Sequence, residues 1–424
     1  IIVIGLRQFI THCFQHALVL ALICSCSKVE EPYPEVSFTY IDGGNFKYGD
    51  TIRLGFESAN SDSYTLSLLQ GSKVISLPQR EVFKEGNQVD LELVLNDRYL
   101  ASGAYDLRLQ VKNTVKGAST FSTIQYTGLP TAQLGFALLG QQDVELVDSN
   151  QNRISFPLSS SFDYIKVSSR DSLVYLVAFA DEGSEVRRLG DFQLVRKLPL
   201  VAPVGSRSYY RFVKSAQGLF LLRTDGRIDF LEEGTLQAST ALPLGRIARK
   251  GCMLNSKLVA VTYDQAGSNA QMEFFNADLN GSFQSYLLPG TDHVIFPLDN
   301  NSGLAVLLRK SGNWELHLYN TLSQDLSLEY IGNDQFPLAG SATAQSQQIM
   351  FSTDQELYRA YIGGSSIPLP IQNGAYEQFQ LSAADQGLYL QKAKTVFRLN
   401  LNNNLQFAAS KFDVLQDYDI LYNK

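Results

Sequence analysis

From residue 36 onward, apolar and polar side chains alternate with a period of two. The stretches "VSFTYI", "DTIRLGFES", "YTLSLLQ", "VDLELVL", "YDLRLQVKN" and "STIQYTG" each put apolar residues on one face and polar residues on the other. Gly, Asn, Asp and Ser separate them. Successive side chains of a strand point to opposite faces, so this period predicts half-buried β-strands joined by tight turns. Residues 127–133, "TGLPTAQ", break the pattern with Gly and Pro and read as a linker.

Residues 134–424 show no helical period, and a loose repeat runs through them. One apolar strand recurs as "GFALLG", "SLVYLVAF", "GLFLLRT", "KLVAVTY", "GLAVLLR", "QIMFST" and "GLYLQKA". After a short turn each is followed by a second strand, from "DVELVDS" to "VFRLNLN", and then by a third such as "RISFPL" or "QSYLLP". A fourth strand precedes each unit but the first, beginning near Asp163, Tyr209, Arg249, His293, Pro337 and Tyr376. The repeat is therefore about 40 to 46 residues, the range of four-stranded propeller blades. One further strand, "DYDILYN", lies at residues 417–423, while the unit near Gly135 lacks a strand of its own. Returning that last strand to the first unit closes a ring, which leaves few sheet edges exposed.

The predicted fold class is thus all-β: an Ig-like β-sandwich over 36–128, followed over 134–424 by a seven-bladed β-propeller whose C-terminal strand closes the first blade. A misparsed unit would make the count six or eight. "ASGAYDLRLQVKN" resembles fibronectin-III-like and PKD-like domains, in which a Gly-x-Tyr step leads into a long alternating strand. Tyr105 then reads either as a corner tyrosine bonded to backbone or as a core aromatic.

With 424 residues, 45% of them hydrophobic, the chain has material for more than one core. A net charge of −7 and the lack of any Lys/Arg run argue against a nucleic-acid partner and against a polybasic membrane patch. Of the four cysteines, Cys13, Cys24 and Cys26 fall in the opening segment, so a disulfide framework is not expected. Cys252, in "RKGCMLNS", reads as a small buried apolar residue. The aliphatic run "ALVLALI", preceded by Arg7, is too short to span a bilayer and reads as the apolar core of a signal peptide over residues 1–25. "ICSC", Ile23 to Cys26, resembles a bacterial lipobox, which implies Cys26 as the lipid attachment site and a tether over 26–35. "SKVEE" is similar to the charged export tag of Bacteroidota surface lipoproteins. Such a chain would be lipid-anchored in the outer membrane and face the cell surface.

Chemistry is sparse. No sialidase-type Asp box, WD or kelch signature, or Gly-x-Ser-x-Gly elbow occurs. Only His293 and His317 follow the lipobox, too few for a multi-histidine metal site without carboxylates, and neither a metal nor a cofactor is expected. The Asx-rich stretches "DSNQNR", "NADLNG" and "NLNNN" alternate oxygen side chains as calcium loops do, but lack the distal glutamate and read as turns. Candidate ligand contacts are the turn residues Asp225, Asp264, Arg309, Asp354 and Lys392, placed where a propeller's middle-strand turns converge on its channel. The whole plan resembles the PKD-like and propeller lipoproteins of Bacteroidota associated with SusC/SusD-type importers. That resemblance implies a non-enzymatic binding or scaffolding accessory, with protein partners in an outer-membrane complex and a glycan or peptide ligand. The rival expectations are a propeller-type extracellular hydrolase or lyase, and a structural subunit of an envelope machine.

Overall fold

A computed structural model describes residues 32–423, except for 71–72, 77–81, 84–86, 101, 179–182, 199–206, 216–217, 233, 277, 280–281, 299–302, 333–334, 344–346, 364–366 and 401–403. The signal segment 1–25, Cys26 and residues 26–31 of the tether lie outside the described residues. The chain divides into two compact units, one ending at Leu129 and the other beginning at Pro130. Apart from a short 3-10 turn at Pro243–Gly245, the regular structure described is β-strand. No described helix is long and apolar enough to cross a membrane.

In the first unit, strands Glu35–Ile41, Thr51–Ala59 and Gln88–Val94 form one sheet. A second sheet is built on Ser63–Gln70, Gly103–Lys112 and Gly117–Thr127. Alternation does the work here: Tyr105, Leu107, Leu109 and Val111 of one strand are buried while their neighbours are not. These residues meet Ile52, Leu54 and Phe56 of the other sheet in one core, and the Phe56 and Tyr64 rings pack edge to face at 5.2 Å. Tyr105 lies in that core, 1% exposed, with its ring edge to face against Tyr126 at 6.3 Å. Of the tether, the Pro32 and Tyr33 carbonyls accept hydrogen bonds from the side-chain amides of Asn113 and Asn60, and Glu35 already opens a strand.

The second unit holds seven four-stranded sheets among the described residues. Six are consecutive meanders. Their inner strands are Tyr164–Ser168, Tyr209–Lys214, Ile247–Leu254, His293–Pro297, Ala339–Ala342 and Gln378–Leu381. The remaining sheet joins Gln133–Leu139, Asp143–Asp148 and Arg153–Pro157 to the distant strand Asp417–Tyr422, which pairs antiparallel with Gln133–Leu139. Burial grades across each sheet. The second strands are buried almost without interruption and largely apolar, as in "LVYLV", "QIMFS" and "GLAVLL", because both faces are covered by neighbouring sheets. Outer strands such as Leu194–Lys197 are exposed throughout.

Each successive pair of sheets shares a hydrophobic cluster, and the cycle returns to its start: Tyr389 and Val396 of the last meander pack with Phe136, Tyr418 and Ile420. Polar contacts reinforce that junction. Tyr418 Oη donates to the carbonyl of Tyr389 at 2.9 Å. The Lys411 side chain, 1% exposed, places its ammonium 2.7 Å from Asp143 and 2.8 Å from Glu145.

Candidate functional site

The seven inner strands, with the residues leading into them, enclose a cavity of about 490 Å³ in the second unit. Lys166, Arg211 and Lys250 come from three successive inner strands and form a basic arc. Val294, Ile295, Leu338 and Ala339 follow as an apolar arc. Glu377, Gln378 and Gln416 return the wall to polar character beside the Phe379 ring, and Asp163, just before the Lys166 strand, adds a second carboxylate.

Behind the basic arc lie two buried carboxylates of the closing strand. Asp417 accepts the backbone N–H of Ile165 at 2.9 Å, and Asp419 accepts that of Val167 at 2.7 Å. They take the acceptor role of a ladder strand toward the next inner strand, where no backbone pairing exists. Asp419 also accepts from Gln380 at 2.6 Å and Lys214 at 3.2 Å, and lies 3.8 Å from Lys166. Burial pushes the Asp417 carboxyl up to about 6, against the opposing pull of Lys166. For Asp419 burial acts the same way, but Lys166, Lys214 and its hydrogen bonds outweigh it and hold the carboxyl below the usual range. Lys166 is correspondingly held above the lysine range: burial opposes its charge, and Asp419 and Asp417 overcome that.

Arg211 and Lys250 are different. Neither makes a side-chain hydrogen bond or ion pair with another described residue, whereas Lys166 and Lys214 are both matched by Asp419. Burial, then Arg211, lower Lys250 from the usual lysine value. Nearby, Arg207 and Arg249 lie over the Tyr210 ring, 5.1 and 5.5 Å from its centre, and Arg249 also lies 5.2 Å from the Tyr263 ring. The Arg249 Nε is buried without a hydrogen-bond partner. The sequence contains no basic run, yet the fold assembles a basic face from residues about 40 positions apart on neighbouring strands.

The turn residues expected to contact ligand do not line this cavity. Arg309 and Asp354 are brought together in a second cavity of about 560 Å³, with Asn313, Trp314, Gln335 and Phe336. Arg309 pairs with Asp292 at 3.3 Å and lies 5.2 Å from the Phe336 ring centre. Gln335 donates to Asp354 through its amide. Leu338 lines both cavities, so the two adjoin. Asp225, Asp264 and Lys392 stand apart from both. Asp225 is gripped by Arg223, and Lys392 donates to the carbonyl of Asn373 at 2.8 Å. Asp264 accepts from Ser268 and Asn269, which bring its carboxyl down to about 2 against the effect of burial. Asp148 likewise closes its own turn, accepting from Asn150 and Asn152 at 2.8 Å.

Among the described residues no group of three or more His, Cys, Asp or Glu is placed to hold a metal ion. The two histidines serve the interior. His293 accepts or donates to Tyr263 Oη at 3.0 Å through Nδ1 and meets the Pro289 carbonyl at 2.9 Å through Nε2. Burial lowers its pKa, so the imidazole is neutral and its Nε2–H donates to Pro289. His317 is 2.7 Å from Glu315 on the same strand.

No protein-family model and no curated protein sequence matches the chain. Solved structures do. A Bacteroides thetaiotaomicron protein described as quinonprotein alcohol dehydrogenase-like superposes with a TM-score of 0.50 at 12% identity, covering 92% of this chain and 99% of that one. A Lactobacillus plantarum protein gives a TM-score of 0.51 at 12% identity over 68% of this chain and 100% of its own. The Dos1 propeller gives 0.49 at 12% identity, over 73% of this chain and 83% of its own. At such identity the likeness is one of fold alone: the chain is all-β and of β-propeller character.

Proposed function

We propose that this protein is a surface lipoprotein, anchored in the outer membrane through Cys26, that binds a ligand without transforming it. In this reading the first unit is an Ig-like spacer. The second is a seven-bladed propeller that presents its channel-mouth cavity as the recognition surface, and an envelope complex is the expected protein partner. The observation that carries the reading is the cavity itself: six inner strands and the residues leading into the seventh contribute to its wall, and its polar and charged side chains converge on one space. The commitment of the nearest buried carboxylates supports binding rather than catalysis, because Asp417 and Asp419 are spent on backbone N–H groups and lysines.

A second reading, a glycan hydrolase or lyase, draws on Asp163 and Glu377, the two carboxylates that line the same cavity. Purification from membranes in mild detergent, followed by mass spectrometry of co-purifying proteins and a glycan and peptide panel scored for binding and cleavage, tests both. Ligand binding without turnover, together with release of Cys26→Ala from the membrane, is the expected result. Turnover that disappears in Glu377→Gln would replace the binding reading with the enzymatic one.

A further inference from the structure

Arg211 and Lys250 sit on neighbouring inner strands, Tyr209–Lys214 and Ile247–Leu254, and both face the cavity. Two like charges at the rim of a partly enclosed space repel, and here no described carboxylate forms an ion pair with either, Asp292 offsetting Lys250 only in part. The next cation along the arc, Lys166, has Asp419 as its counter-charge, so of the three cations that line the cavity these two are the ones without an ion-pair partner. A guanidinium fork beside an ammonium is suited to a carboxylate, which accepts two parallel hydrogen bonds from the first and a point charge from the second. The opposite side of the cavity is of another kind. Glu377 offers a carboxylate acceptor and Gln378 an amide, groups that bind hydroxyls, while the negative charge of Glu377 disfavours a second anionic group on the ligand. Phe379 supplies a ring for a C–H face, and a volume of about 490 Å³ lies in the range of small-molecule sites.

We propose that the cavity takes a hydroxyl-rich monocarboxylate, a sugar acid, with its carboxylate between Arg211 and Lys250 and its hydroxyls toward Glu377 and Gln378. This rests on the reading above that the cavity is the ligand site. The electrostatics agree with the geometry: burial and then Arg211 lower Lys250, with a smaller contribution from Arg207 and an opposing one from Asp292. An anion seated between the two cations relieves that strain, so charge favours the occupied state.

Titration calorimetry on the full-length protein, with glucuronate, galacturonate, glucose, hexanoate and inorganic phosphate as separate probes, tests the assignment. At least one uronate is expected to bind, with glucose, hexanoate and phosphate each at least tenfold weaker. Arg211→Met and Lys250→Met should each lower uronate affinity at least tenfold without lowering Tm, because each removes a repulsion. Uronate binding that survives both substitutions overturns the proposal, as does the absence of any uronate binding. Glucose bound as tightly as glucuronate, and lost when Ala339→Trp fills the cavity, overturns the sugar-acid assignment while leaving the cavity as a ligand site. Hexanoate or phosphate bound as tightly as the uronates overturns it equally.

Discussion

Asp419 receives five polar contacts in a place where the backbone could not pair, and Asp417, two residues away on the same face of its strand, does a similar task with fewer. Their proton affinities diverge for that reason. The folded-state value of Asp417, about 6, lies above the ordinary 3.8, so the folded chain retains a proton that the unfolded chain releases between them. Stability from Asp417 is therefore fully present below the ordinary value and is lost as pH rises through about 6. Asp419 has the opposite sign: its contribution is present above the ordinary value and is lost as pH falls through its lowered one. With Lys166, Asp419 and Tyr418 as the charged and titratable groups around Asp417, the Asp417→Asn variant should lose more stability at about pH 4.5 than at about pH 7 in urea titrations. An equal loss at both would mean that Asp417 is already ionised in the folded chain. Cys252 makes a simpler case. Buried at 9% exposure, with its thiol pushed up to about 12, it should resist alkylation at about pH 8 in the native protein and react once denatured, as peptide mass mapping would show.

Among the elements, the second strand of each sheet was the easiest to read. "GLAVLLR" holds a continuous apolar run and "QIMFST" a shorter one because each strand is covered on both faces, and the alternation of Gly103–Lys112 was equally plain because only one face is. The cavity was not legible. Arg211 and Lys250 are separated by a whole repeat, and nothing in either local sequence says that their strands will be neighbours or that one cation will lack a carboxylate. Residue type and position single out the five turn residues, but a turn consumes its own polar groups. Asp264 is engaged by Ser268 and Asn269, and only Arg309 and Asp354 come to share a space. One repeated device was also hidden. Gly218 and Gly303 stand at the start of second strands, each against a carbonyl of the following strand, Leu231 and Tyr319, and a Cβ at either position would collide with it. Gly218→Ala and Gly303→Ala should therefore each destabilise by about 1–3 kcal/mol, measured as a lower urea midpoint. A neutral result would mean that the strand pair slides apart at no cost.

At the scale of the molecule, the first sheet of the second unit depends on a strand from the far end of the chain. Deleting residues 417–424 removes the partner of Gln133–Leu139, the acceptors for Ile165 and Val167, and the Tyr418 contact to Tyr389. The expected outcome is loss of the cooperative unfolding transition and association through the bared edge, seen as larger species in size-exclusion chromatography. A monomer with an unchanged transition would show that the junction is dispensable. The two ends of the unit are tied as well: Ala132 N–H donates to Asn423 at 2.9 Å, and Asn423 donates to the Pro130 carbonyl at 3.1 Å. That knot has a meaning in time. As a ribosome delivers the strands in order, six meanders can fold behind one another, but the earliest strand to emerge waits longest for its partner. Gln133–Leu139 must stay unpaired on one edge until Asp417–Tyr422 has been made, which makes it the segment most in need of a chaperone while the rest of the unit is synthesised.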